Sequence, residues 1–385
     1  KRSCQHVKCR ILKGDGTSLP PISINISDVL NEAKVGPINN ALYNLWSQVD
    51  VSLQQQVITS TVGTNFPYKA YLDTLLTTDY SSETKLEAQL FYRDRLVDLP
   101  SANDPILGIN YGLITRSNFF HESKVVDMEG PIFMDICQQE RLIIDGVPLD
   151  IKLYPKSEPF LLISNNPSPS YKVEITDAVL KVCMVEVSPG IITGHSRALG
   201  STPAQYPIVR SDIKTFAVPQ GQFGLTVEDV FQGICPDQVL VGLVSSAAFN
   251  GSYATNPFNF KNYKCNFAAF YVDAQTVPAQ PYQPNYEGNN YMDTYIAFVT
   301  GIGTGQYPYF NTIISSQEFK DGYCFYVFDL SQQRELQLNS EAKKGNTRLE
   351  LKFAEALPES VTAIVYAKFP ATVEIDKSRR VTVLS

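Results

Sequence analysis

The feature that most constrains this chain is a set of short segments with apolar residues on both faces of an extended backbone. Residues 360–369 (SVTAIVYAKF), 322–330 (GYCFYVFDL) and 266–272 (NFAAFYV) are of this kind. They are expected to be central strands, buried between two sheets or under a neighbouring subunit. Residues 348–353 alternate strictly, with Leu349, Leu351 and Phe353 on one face, as in a strand with one face in the core and one in water. With 21 Tyr, 21 Phe, 24 Pro and 22 Gly against one Trp and four Met, the composition is that of strands and turns.

Turn signals sit between these segments. Asp145-Gly146 within 142–151 reads as a strand–turn–strand unit, since an Asp-Gly pair suits the positive φ of a type I′ turn. Lys13-Gly14-Asp15-Gly16 is a similar turn, and 271–278 and 49–58 read as related hairpins. Residues 171–187 are long enough for two strands or one bent strand, with a break at Asp177. Helices are few. Residues 37–49 place Ile38, Leu42, Leu45, Trp46 and Val49 on one helical face, and 68–76 group Tyr71, Leu72, Leu75 and Leu76. Residues 226–231 allow one turn. These short helices are assigned to loops at the ends of the sheets.

The stretch 188–207, rich in Gly, Pro, Ser and Thr, is the expected connection between domains. It divides the 385 residues into 1–195 and 196–385, each about right for one eight-stranded sandwich. Within the second half, 278–291 and 301–308 read as long loops, where partner contacts commonly reside.

Charge and cysteine content exclude several classes. The net charge of −7, with no Lys/Arg cluster denser than Lys1-Arg2 or Ser378-Arg379-Arg380, argues against gripping a phosphate backbone. Charged residues make up 18%, below the roughly 25% of an average soluble chain. Either something other than charge keeps this surface in solution, or much of it is covered by a partner. The odd set Cys4, Cys9, Cys137, Cys183, Cys235, Cys265 and Cys324 in so long a chain is no disulfide scaffold, and reduced thiols of a cytosolic or nuclear product are expected. Asn25-Ile26-Ser27 and Asn250-Gly251-Ser252 match the glycosylation triplet, a pattern frequent by chance. No apolar run approaches the roughly 18–20 residues that span a bilayer, and no signal peptide is read. The chain opens on Lys1-Arg2-Ser3 without Met, as in a fragment or processed form.

No catalytic constellation emerges, and no catalytic, cofactor-binding or metal-ligating residue is assigned. His6, His121 and His195 lack metal-site spacing, and no nucleophile elbow accompanies His195-Ser196. The glycines of 301–305 lack the Lys-Ser/Thr of a phosphate loop. Glycosidase-like acid pairs drawn from Glu174, Asp177, Glu186, Glu350 and Glu355 cannot be matched by spacing, and strand alternation makes Glu174 and Glu350 solvated positions.

Three blocks, in order, resemble one family. The first is Val35-Gly36-Pro37-Ile38-Asn39-Asn40-Ala41-Leu42 with Gln48-Val49-Asp50-Val51 and residues 68–76. The second is Ala248-Phe249-Asn250-Gly251-Ser252-Tyr253 with 256–260. The third is Glu355-Ala356-Leu357-Pro358 with Ile364-Val365-Tyr366-Ala367 and Glu374-Ile375-Asp376-Lys377. They are similar to the major capsid protein of Maverick/Polinton elements and adintoviruses, over about Val7 to Val383. The resemblance implies an all-β double jelly roll with no catalytic residue. It also implies a homotrimer that forms a pseudo-hexameric, hexon-like capsomer in the icosahedral shell of a double-stranded DNA virus. Further expectations are a minor capsid or penton partner, no sequence-specific nucleic-acid binding, synthesis in the host cytoplasm, assembly in nucleus or cytoplasm, and location in the virion. Family members usually carry several dozen residues ahead of the segment resembling His6-Val7-Lys8-Cys9-Arg10, so the first roll is expected to lack N-terminal strands.

Three other readings stand beside this one. A secreted carbohydrate-binding sandwich predicts a signal peptide and paired cysteines. A β-sandwich hydrolase predicts converging carboxylates in a cleft. A host-domesticated copy keeps the fold and loses the virion.

Overall fold

Alternation at 347–353 becomes a strand whose Thr347, Leu349, Leu351 and Phe353 are buried, while Lys352 is exposed and Arg348 and Glu350 half-buried. It lies in a computed structural model that describes residues 3–21, 35–59, 65–78, 83–94, 110–166, 168–231, 233–302, 312–330 and 345–384. The triplet at Asn25, the pair Lys1-Arg2 and residues 303–308 of the second expected loop lie outside the described residues.

The described strands of the first half are β1 (Cys4–Lys13), β2 (Val35–Pro37), β3 (Trp46–Leu53), β4 (Gln56–Val57), β5 (Val126–Pro131), β6 (Leu149–Pro155), β7 (Leu162–Ser164) and β8 (Tyr171–Lys181). They form antiparallel sheets in the orders β5-β1-β8, β2-β7 and β4-β3-β6. The second half holds β9 (Ala204–Val218), β10 (Gly224–Glu228), β11 (Gln238–Ser245), β12 (Cys265–Val272), β13 (Gln275–Tyr282), β14 (Phe325–Asp329), β15 (Thr347–Phe353), β16 (Val361–Ile375) and β17 (Val381–Leu384). One sheet runs β10-β15-β12-β13 and the other β14-β11-β16-β17, with β9 also paired to β16. All 15 residues of β16 pair with β9 along one edge, while β11 and β17 share its other edge.

The two-faced apolar segments 361–369, 325–329 and 265–272 are β16, β14 and β12, as their patterning predicts. Phe270 of β12 and Tyr282 of β13 pack against Phe328 of β14, at 5.7 and 5.4 Å between ring centroids, so the two sheets close on one aromatic core. Gly242 of β11 makes room for the Phe260 ring, since a Cβ there would lie 2.6 Å from it.

The hairpin readings divide. β3–β4 turns through Gln54 and Gln55 at φ 48° and 65°, and β12–β13 through Asp273 and Ala274 at φ 48° and 67°. Both have two successive left-handed residues, the I′ signature that matches strand twist. The Asp145-Gly146 unit is a turn but not a hairpin. Pro148 has no N–H to pair, the Ile144 N–H donates to the Tyr206 hydroxyl of β9 (3.0 Å), and β6 pairs with β3 instead.

Helices differ more from expectation. Residues 37–49 are not one helix. Only α1 (Ala41–Asn44) is helical, because Asn40 sits at φ 61° and Asn39 Oδ1 accepts from the N–H groups of Asn40 (2.8 Å) and Tyr92 (2.9 Å). Asparagine side chains here take backbone bonds that a helix would use. Residues 68–76 lie inside α2 (Phe66–Thr77), as expected. The turn expected at 226–231 is strand β10, whose partner β15 supplies the ladder. Residues 171–187 yield one strand. A bulge at Thr176, whose hydroxyl donates to the Lys8 carbonyl (3.1 Å), replaces the break expected at Asp177. The remaining longer helices are α3 (Tyr111–Phe119), α4 (Asp135–Gln138), α5 (Glu158–Leu161), α6 (Pro189–Ala198), α7 (Ser246–Asn250), α8 (Met292–Gly301) and α9 (Ser316–Asp321). Among the described residues no helix is long and apolar enough to cross a membrane.

Ala274 adopts a conformation that disfavours L side chains by roughly 1–2 kcal/mol. Ala274→Gly is expected to raise stability by about 0.5 kcal/mol, after the larger chain entropy of glycine is subtracted. An unchanged or lower midpoint in urea unfolding would contradict this reading of the turn.

Candidate assembly surface and the seam behind it

The two halves meet around α2. Ten of its twelve residues are buried, as suits a helix apolar all round. The Tyr71 ring lies flat on Phe258 with centroids 3.9 Å apart, and Tyr68 stacks on Phe249 at 5.6 Å. Polar groups on the same helix reach across. Lys69 Nζ is 2.7 Å from Asp73 and 3.0 Å from Asp135 of α4. The Tyr366 hydroxyl of β16 donates to Asp73 Oδ1 (2.5 Å), and the Ser211 N–H of β9 donates to Asp135 Oδ2 (3.1 Å). Burial opposes the charge of Lys69, yet Asp135 and Asp73 overcome it and hold the ammonium protonated. Burial, and then Asp73, pushes the Tyr366 phenol well above its ordinary range. Burial lowers the pKa of nearby Lys368. Lys69, Asp135, Ser211 and Asp212 line a cavity of about 50 Å³ here, room only for water.

A second crossing is an ion pair removed from solvent. Arg116 of α3 is 0% exposed and its Nη2 is 2.7 Å from Asp94. Its remaining donors go to the carbonyls of Pro37 (2.9 Å) and Tyr92 (2.6 Å). From the second half, Asn256 donates to Asp94 Oδ2 (3.3 Å) and the Tyr323 hydroxyl to the Asp94 carbonyl (3.2 Å). Arg93 extends the seam, bridging Glu83 (2.8 Å) and Glu318 (3.0 Å). Sequence patterning gave no sign of these residues, because their partners lie up to 229 positions away.

The residues examined for chemistry do not converge. Glu174 pairs with Arg10 (2.5 Å), while Asp177 and Glu186 are exposed along and beyond β8. Glu350 takes Lys352 (2.9 Å) and the Tyr271 hydroxyl (3.1 Å), which lower its pKa, and Glu355 takes Lys264 (2.7 Å). His6 lies 2.5 Å from Asp127, His121 beside Asn118 and Lys124, and His195 on exposed α6. Among the described residues no three His, Cys, Asp or Glu side chains are grouped to hold a metal. No disulfide joins the seven cysteines. Burial pushes the thiols of Cys9 and Cys324 up to about 12 and that of Cys265 to about 11.

The surface is more informative. Beyond Thr176 both faces of β8 lie open, and large apolar side chains continue through Val179, Leu180, Val182, Val185 and Val187, with Met184 85% exposed. α6 follows with no buried residue and with Ile191 and Ile192 outward. A second open apolar area is β6 with its approach, at Leu142, Leu149, Leu153 and Tyr154. The 278–291 stretch behaves differently. Pro278 and Pro281 lie in edge strand β13, and Tyr286 and Tyr291 turn inward, Tyr286 bonding with Tyr326 (3.0 Å) and Cys324 (3.1 Å). Its aromatic side chains serve the core, while Ala279, Gln280, Gln283, Asn285 and 287–290 are exposed.

No family model matches the chain. A Caenorhabditis elegans protein described as uncharacterized is 24% identical over 351 residues, covering 89% of this chain and 80% of that one. A chain from the cryo-EM structure of the Sputnik virophage superposes with a TM-score of 0.60 at 10% identity, covering 99% of this chain and 82% of that chain. The mavirus major capsid protein gives 0.53 at 10% identity, covering 99% and 83%, and the Faustovirus major capsid protein 0.54 at 8%, covering 96% and 85%. The fold is a double jelly roll. Its two halves are held together by the seam at α2 and at Arg116–Asp94.

Arg116→Ala is expected to cost about 3–5 kcal/mol, since it strands the buried Asp94 carboxylate. Arg10→Ala, which breaks the solvent-exposed pair with Glu174, is expected to cost under about 1 kcal/mol. Urea denaturation of the two variants side by side checks the contrast.

Proposed function

We propose that this chain is a structural major capsid protein, whose work is to cover itself with copies of itself. What supports the reading is a double jelly roll over nearly the whole chain, together with apolar side chains held open along β8, α6 and β6. Side chains so placed gain about 25 cal/mol for each Å² removed from water, a gain that assembly supplies. The rolls are 1–195 and 196–385, and three copies stand side by side as a pseudo-hexameric, hexon-like capsomer. Capsomers then tile the icosahedral shell of a double-stranded DNA virus or virus-like transposon of the Maverick/Polinton kind. A minor capsid or penton protein fills the remaining positions. The product resides in the virion and carries out no catalysis.

A second reading keeps the fold and the trimer but not the shell: a copy retained in an animal genome. The nematode relative favours weighing it.

The test is the mass of the purified chain in solution, followed by electron microscopy. A stable trimer that proceeds to shells or sheets is expected. A trimer that never forms shells would favour the retained copy, and a monomer at all concentrations would remove both readings.

A further inference from the structure

Resting on that reading, we propose that residues 182–198 form a docking arm that lies against β6 of a second copy of this chain. The arm has secondary structure without a core of its own. A ten-residue helix is marginal in water unless it packs, yet α6 buries none of its residues, and the buried Leu199 lies just beyond it. The segment before it is held at Cys183, half-buried with its N–H donating to the Ser3 hydroxyl (3.4 Å), but leaves Val182, Met184 and Val187 in solvent.

The amount of open surface fits a protein partner. Six apolar side chains of the arm, Val182, Met184, Val185, Val187, Ile191 and Ile192, are 38–85% exposed and present on the order of 500 Å². A standard interface takes about 800 Å² from each partner, so the arm supplies most of one side. Its charges argue against a lipid surface. Glu186, His195 and Arg197 are few and of mixed sign, whereas helices that lie on anionic membranes carry a face rich in Lys and Arg.

The receiving surface must be a different patch, because contacts around a threefold axis are heterologous. β6 meets that requirement. Among the described residues it is paired along one edge only, to β3, and it exposes Leu149, Leu153 and Tyr154. Asp150, Lys152 and Pro155 blunt the open edge of β6, so the arm meets its exposed apolar side chains and adds no strand. The arm of one copy on β6 of the next closes both open surfaces at once.

The experiment compares the wild-type chain with an arm variant, Met184→Asp with Ile191→Asp, and a receiving variant, Leu153→Asp with Tyr154→Asp, by sedimentation across concentrations. Each variant is expected to weaken self-association by about 30-fold or more, with unchanged circular dichroism and melting. Mixed together, the two variants are expected to form a one-to-one pair, because one intact arm meets one intact β6. Wild-type trimers with equally tight variant trimers would overturn the arm and leave the capsid reading standing. A wild-type monomer would overturn the capsid reading and the arm with it. Should a variant unfold, amide exchange of the wild-type chain decides: protection of 182–198 in the oligomer and its loss on dilution are expected, and exchange independent of concentration would overturn the proposal. Flotation of wild type, but not the arm variant, with phosphatidylserine vesicles would also overturn it in favour of a lipid partner.

Discussion

Arg116 and Asp94 meet with neither side chain more than 1% exposed, and much of the molecule is arranged so that they can. Two charges withdrawn from water lose several kcal/mol of hydration each, and recover it only where every donor and lone pair finds a partner. Here the partners come from both halves: Pro37 and Tyr92 on one side, Asn256 and Tyr323 on the other. The pair therefore does more than hold two residues together. It is satisfied in one relative placement of the two jelly rolls and punished in others. The Lys69, Asp73 and Asp135 cluster, closed by Tyr366 and Ser211, imposes the same condition some distance away. Between them α2 brings the apolar adhesive, with Tyr71 flat on Phe258.

That division of labour explains why the outside can be so apolar. A chain whose halves were joined by grease alone could slide its seam or trade it for the open surface along β8 and α6. Directional bonds at the seam keep the interior surface from competing with the exterior one. Hydrophobic patches at 179–192 are then left as surface while the core stays specified.

The strands of the second half were legible because their pattern is local. Leu349, Leu351 and Phe353 alternate within one segment, and β12, β14 and the first half of β16 carry apolar residues on both faces. The hairpin at Asp273-Ala274 was legible for the same reason. Elements ruled by distant partners were not. The helix read over 37–49 has good periodicity, but Asn39 spends its carbonyl oxygen on Tyr92, far along the chain, and β3 is drawn off by β6. At 142–151 the Asp-Gly turn forms, but Tyr206 takes the ladder bond at Ile144. Of the open apolar surface, sequence showed a strand-like run at 171–187 and the strand–turn–strand unit at 142–151. That the run stays uncovered is a fact about what the rest of the chain declines to place over it. The seam ions were invisible altogether, since Arg116 and Asp94 look like ordinary surface charges until the fold encloses them.

One further feature bears on durability. The thiols of Cys9, Cys265 and Cys324 are shut inside the sheets and held far from thiolate, and no sulfur–sulfur bond ties any part of the chain. At these three positions nothing is therefore waiting to be written by air, and the chain holds no disulfide for glutathione to erase. Redox chemistry is left to the half-buried thiols of Cys4, Cys137 and Cys183.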